Sequence, residues 1–78
     1  MDLLLAIKEL YTLLVEYQLL DKVPELDEIE KAADELYAGK KNPIKKYITL
    51  PLAGEKYQAI QEKMAKIEEI IANEKANN

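Results

Sequence analysis

Apolar residues step through this chain by threes and fours, in three separate runs. Leu3, Ile7, Leu10, Leu14 and Tyr17 make the first run. Leu26, Ile29, Ala33, Leu36 and Tyr37 make the second, and Tyr57, Ile60, Met64, Ile67 and Ile71 the third. Successive helical residues turn by about 100°, so this spacing sets each run along one helix face. Two glycines and three prolines are too few for an all-β domain built on tight turns. A chain of 78 residues holds one core at most. The fold class is therefore all-α: a small antiparallel bundle of three main helices with a short fourth helical turn.

The punctuation sets the boundaries. The first helix is expected from Asp2 to about Lys22, with Asp2 at the positive end of its dipole. Pro24 marks the second start, with Glu25, Asp27 and Glu28 in the first turn, and Gly39 ends that helix in the left-handed conformation. Asn42-Pro43 repeats the start signal for a short turn over Pro43–Ile48. Thr49 to Gly54 reads as an extended connector, with Leu50 and Leu52 pinned on the core. The third long helix runs from about Leu52 or Glu55 to Asn73, where Glu62 precedes Lys66 by the four residues that favour an ion pair. Residues 1–73 thus form one domain, and 74–78 a frayed tail.

The first helix is apolar over more than one stripe. Leu4, Tyr11 and Val15 flank its seam on one side, and Ala6, Leu13 and Leu20 on the other, so it must be covered twice. Either it sits centrally in its own bundle, or Leu4, Tyr11, Leu13, Val15 and Leu20 meet another chain as a homodimer or larger homo-oligomer. The five tyrosines, apolar in body and polar at the tip, suit bundle edges and interfaces.

What is missing narrows the chemistry. Arg, Ser, His, Cys, Trp and Phe are all absent. No Ser–His or Cys–His nucleophile pair, imidazole base, thiolate or imidazole zinc site, or disulfide is available. Asp27, Glu28, Glu30, Asp34 and Glu35 crowd together, but most must face water to leave Ile29 and Ala33 inside. Gly39 and Gly54 stand alone, so no phosphate-cradling loop is present. The expectation is a protein that is not an enzyme, with no cofactor and no metal.

Charge is unevenly spread. The net charge is -4, yet Lys40, Lys41, Lys45 and Lys46 cluster beside Tyr47. Such a patch can hold a phosphate, an anionic head group or an acidic protein surface. Equally, Lys40 and Lys41 can serve a helix C-terminus while Lys45 and Lys46 keep a loop soluble. A nucleic acid is a poor partner for an acidic chain without the arginine fork. No segment approaches the ~20 apolar residues of a membrane span, and the N-terminus lacks a signal peptide's basic start. The expected compartment is the cytoplasm.

Ala6-Ile7-Lys8-Glu9-Leu10-Tyr11, then Glu28-Ile29-Glu30-Lys31-Ala32-Ala33-Asp34-Glu35-Leu36 running into Gly39-Lys40-Lys41-Asn42-Pro43, then Ile48-Thr49-Leu50-Pro51 before a Tyr57-containing helix, resembles the immunity proteins for pediocin-like bacteriocins. The resemblance implies a cytosolic antiparallel four-helix bundle that protects its producer by acting on the complex of bacteriocin and membrane sugar-transport receptor. The third helix here is stunted relative to that pattern. The functional expectation is a protein–protein interaction module, immunity- or antitoxin-like or inhibitory. The alternatives are a phosphate-ligand or nucleic-acid binder using Lys40 to Lys46, and a structural homo-oligomer of phage or mobile-element origin. A nucleic-acid mimic built on the acidic second helix is a weaker reading, opposed by its interspersed lysines.

Overall fold

The computed structural model describes residues 2–40, 43–48 and 54–76. Three α-helices and one 3₁₀ segment follow in order: α1 (Asp2–Glu16), α2 (Leu26–Tyr37), the 3₁₀ segment (Pro43–Ile48) and α3 (Gly54–Ala76). No strand occurs among the described residues. The all-α bundle with a short fourth helical element is what the spacing of apolar residues required. Its packing centres on α1, which lies against both α2 and α3.

Cross-helix contacts give the directions. The Glu9 carboxylate lies 3.6 Å from the Lys63 ammonium and 3.7 Å from that of Lys66. The Lys56 ammonium sits 5.4 Å from the Tyr17 ring. The middle of α1 thus meets the middle of α3, and Tyr17, just past the end of α1, meets the start of α3, so the two run antiparallel. Lys75, near the end of α3, stands 5.2 Å from the ring of Tyr37, at the end of α2. Helices α2 and α3 therefore finish at the same end of the bundle.

Helix α1 stops at Glu16, well short of the expected Lys22. Gln18 takes a left-handed backbone, φ 62°. Its N–H donates to the Val15 carbonyl at 3.0 Å, and the Leu19 N–H donates to the Leu14 carbonyl at 2.9 Å. This pair of bonds closes a helix C-terminus by satisfying carbonyls that would otherwise lack donors. Leu19, Leu20 and Val23 still pack on the core from a non-helical segment. That is why the apolar run outlasts the helix.

Helix α2 begins at Leu26 and not in the turn opened by Pro24. Glu25 is its extended cap residue, and its carbonyl accepts from Glu28 and Ile29 at 3.0 and 3.1 Å. Asp27 Oδ1 accepts from the Glu28 N–H at 3.0 Å, and the acidic first turn is in place. At the far end Gly39 adopts φ 74°, with its N–H on the Leu36 carbonyl and that of Lys40 on Glu35. This is the expected glycine stop. The buried face is Ile29, Ala32 and Ala33, with Leu36 and Tyr37 half-buried. Leu26, expected inside, is 62% exposed, because it opens α2 where α1 has already ended.

Ile7, Leu10, Leu14, Ile44 and Ile60 are fully buried and define the centre of the core. Ile44 ties the 3₁₀ segment to that centre, and Tyr47 and Ile48 pack beside it. Among the described residues no polar or charged side chain is buried. Helix α3 continues to Ala76, so Glu74 to Ala76 are helical where fraying was expected, with Lys75 holding Tyr37. Lys66 pairs with Glu9 across to α1, not with Glu62 along its own helix. The Asn42 cap, Lys41, the connector with Leu50 and Leu52, and Asn77–Asn78 lie outside the described residues.

Candidate docking groove

Helices α2 and α3 both pack on α1, and a groove opens between α3 and the end of α2 with the 3₁₀ segment. One stretch, of about 700 Å³, has Leu36, Gly39, Lys40 and Lys45 on one wall and Met64, Ile67, Glu68, Ile71, Ala72 and Lys75 on the other. A second stretch, of about 500 Å³, adjoins it through Lys45, Met64 and Glu68 and continues past Ile48, Ala65 and Gln61 to Tyr57. From Tyr57 to Lys75 the groove follows α3 for roughly 27 Å at 1.5 Å per residue.

Helix periodicity explains this second face. Ile60 and Ile67 point into the core and are buried. Met64 and Ile71 are half-buried at its margin, while Ala65 and Ala72 are exposed beside them. Met64 and Ile71 were expected as core residues; each has one side on the core and one on the groove. Tyr57, expected inside, is 47% exposed at the groove's far end. The signal for this face was present in the sequence as apolar or small residues at 64, 65, 71 and 72, next to the 60–67 seam.

The lysine cluster is divided by the fold. Lys40 and Lys45 are exposed and share the groove rim with Lys75, which lies far from them in the chain. No carboxylate lies within ion-pair distance of Lys40 or Lys45 among the described residues. Lys46 turns elsewhere, its ammonium 5.0 Å from the Tyr47 ring. Tyr47 in turn stands edge-on to Tyr11, ring centres 6.3 Å apart at 72°, a favourable aromatic geometry. Tyr47 is thus a core-margin residue. Lys41 lies outside the described residues.

Of the expected interface residues, Leu4, Tyr11, Leu13 and Val15 lie on α1, and Leu20 lies in the non-helical segment beyond its end. Leu4, Leu13, Val15 and Leu20 are half-buried. Tyr11 is 5% exposed and belongs to the core of its own chain, which removes it from any surface contact. Burial raises its phenol pKa above the ordinary 10, with the neighbouring Tyr47, Glu28 and Glu35 adding to the effect. Leu5, not singled out from the sequence, is 57% exposed. It opens a shallower hollow of about 430 Å³ with Leu13, Thr12 and a mixed set of charges, Lys8, Glu9, Glu16 and Lys63.

No group of three or more metal-ligating side chains occurs among the described residues, and no described helix is long and apolar enough to cross a membrane. In comparisons with known proteins, no family model, no curated protein and no solved structure matches this chain.

Proposed function

We propose that this chain is a non-enzymatic protein–protein interaction module that receives an amphipathic helix of another protein in the groove along α3. The observation that carries the reading is the groove itself. It is long and open, its Ile71 stretch is mostly apolar, and it runs along the side of α3 next to the face that forms the core. Small-molecule sites are concave and enclose most of their ligand, whereas a channel of this length fits the apolar stripe of a helix. Lysines line its rim in a chain of net charge -4, which sets the sign of a complementary partner. The lack of Ser, Cys and His supports a binding role over a catalytic one. An immunity, antitoxin-like or inhibitory protein would act in this way, and the resemblance to bacteriocin immunity proteins favours that class.

Site-specific photocrosslinking tests the reading. A photoreactive side chain at Ala65 or Ala72, both exposed helical positions in the groove, should trap one and the same protein. The same group at Lys31, on the exposed face of α2, should not. Equal trapping from all three positions, or from Lys31 alone, contradicts it.

A further inference from the structure

The groove is electrically lopsided. Lys40 and Lys75 line its Ile71 end, while Lys45 and the single carboxylate of Glu68 stand where the two stretches meet. Toward Tyr57 the lining adds only the uncharged Gln61 and Tyr57 itself to polar groups already counted. We infer that the partner helix is lopsided to match: its apolar stripe flanked by Asp or Glu where it crosses Lys40, Lys45 and Lys75, and uncharged where it crosses Tyr57. The inference rests on the groove being a docking surface and adds the chemistry of the occupant.

Three considerations carry it. A cationic flank beside three lysines would meet like charge and be rejected, a form of specificity that costs the correct partner nothing. Lys40 and Lys45 are exposed and have no carboxylate within ion-pair distance among the described residues, so a partner carboxylate displaces no existing bridge there. Ile71 and Met64 give the apolar anchor next to the charges, the arrangement of a buried centre with a charged rim. A rim pair in water is worth a factor of about 1.4 to 5, so three together give roughly tenfold discrimination between acidic and basic flanks.

The test is a display library of helical peptides with a fixed apolar stripe and randomised flanking positions, selected against the intact chain. Enriched peptides should carry Asp or Glu over Lys by several-fold at one end of the helix and show no charge preference at the other. Selection against a Lys40→Glu/Lys45→Glu/Lys75→Glu variant should invert the preference at that end. Lys40 and Lys75 also face the carbonyl ends of α2 and α3, so this variant can lose stability. A second variant, Lys45→Gln, lies outside both helix ends and should weaken an acidic-ended peptide by about two- to fivefold while leaving a neutral one unchanged. Enrichment with no charge bias overturns the inference and leaves the groove as a docking surface. No enrichment of helices, or binding unaffected by Ala72→Trp in the groove floor, overturns both. Tighter binding of inorganic pyrophosphate than of any peptide, lost in the same lysine variants, overturns the inference in favour of an anion site.

Discussion

Replacing Gln18 with glycine should make this protein more stable. Gln18 closes α1 in the left-handed region, at φ 62°, with its N–H on Val15 and the next N–H on Leu14. A residue with a Cβ costs about 1–2 kcal/mol in that conformation. Glycine removes the cost but loses roughly 0.5–1 kcal/mol through the greater freedom of its unfolded chain. The net gain is on the order of 0.5–1 kcal/mol. In a domain of this size, 1 kcal/mol moves the melting temperature by about 4–8 °C, so Gln18→Gly should melt about 3–6 °C higher. Gln18→Ala keeps the Cβ and should stay within about 0.5 kcal/mol of the parent. Circular dichroism melts of the three proteins, with urea midpoints as a second measure, decide the matter. If glycine destabilises relative to alanine, Gln18 is not left-handed, and α1 does not end where the structure places it.

The packing sets the expected outcome of four more substitutions. Tyr11 is raised above its ordinary pKa of 10, so the folded state holds its proton where the unfolded chain has released it. Its contribution is complete below pH 10 and fades as pH rises toward the folded value; urea midpoints between pH 9 and 11 should fall less steeply in Tyr11→Phe than in the parent. Leu26→Ser should change stability by less than about 0.5 kcal/mol, because Leu26 is 62% exposed. Ile29→Ala, on the same helix but 3% exposed, should cost about 2–4 kcal/mol; comparable losses would show that α2 is rotated. Glu9→Gln should cost no more than about 1 kcal/mol, since both its lysine partners are more than a third exposed, and the cost should shrink in high salt.

The elements that could be read from the sequence are those with strong local punctuation. Gly39 stops α2, Asp27 and Glu28 open it, and the three-four spacing of Ile60, Met64, Ile67 and Ile71 sets α3. The end of α1 was not legible. Glutamine is an uncommon left-handed stop, and Leu19 and Leu20 prolong the apolar pattern beyond the helix while packing from a loop. Leu26 and Tyr57 carried the right periodicity, yet each stands near the start of its helix, where little covers it. For the groove, half was visible: Lys40 and Lys45 lay in the lysine cluster. The other half lies on α3, far along the chain, and Lys75 joins those lysines solely through the shared end of α2 and α3. Lys46 and Tyr47, which follow Lys45 in the chain, pair with one another, and Tyr47 stands against Tyr11 instead.

The most direct test of the account is the affinity of the partner trapped from Ala65 and Ala72, measured by calorimetry on the parent chain and on Ala65→Glu/Ala72→Glu. Both positions are exposed and helical, so the double variant should retain its circular dichroism and melting temperature. Two carboxylates placed on an apolar contact should weaken binding by at least tenfold, about 1.4 kcal/mol. Unchanged affinity in a folded double variant would mean that the groove along α3 is not where this protein meets its partner.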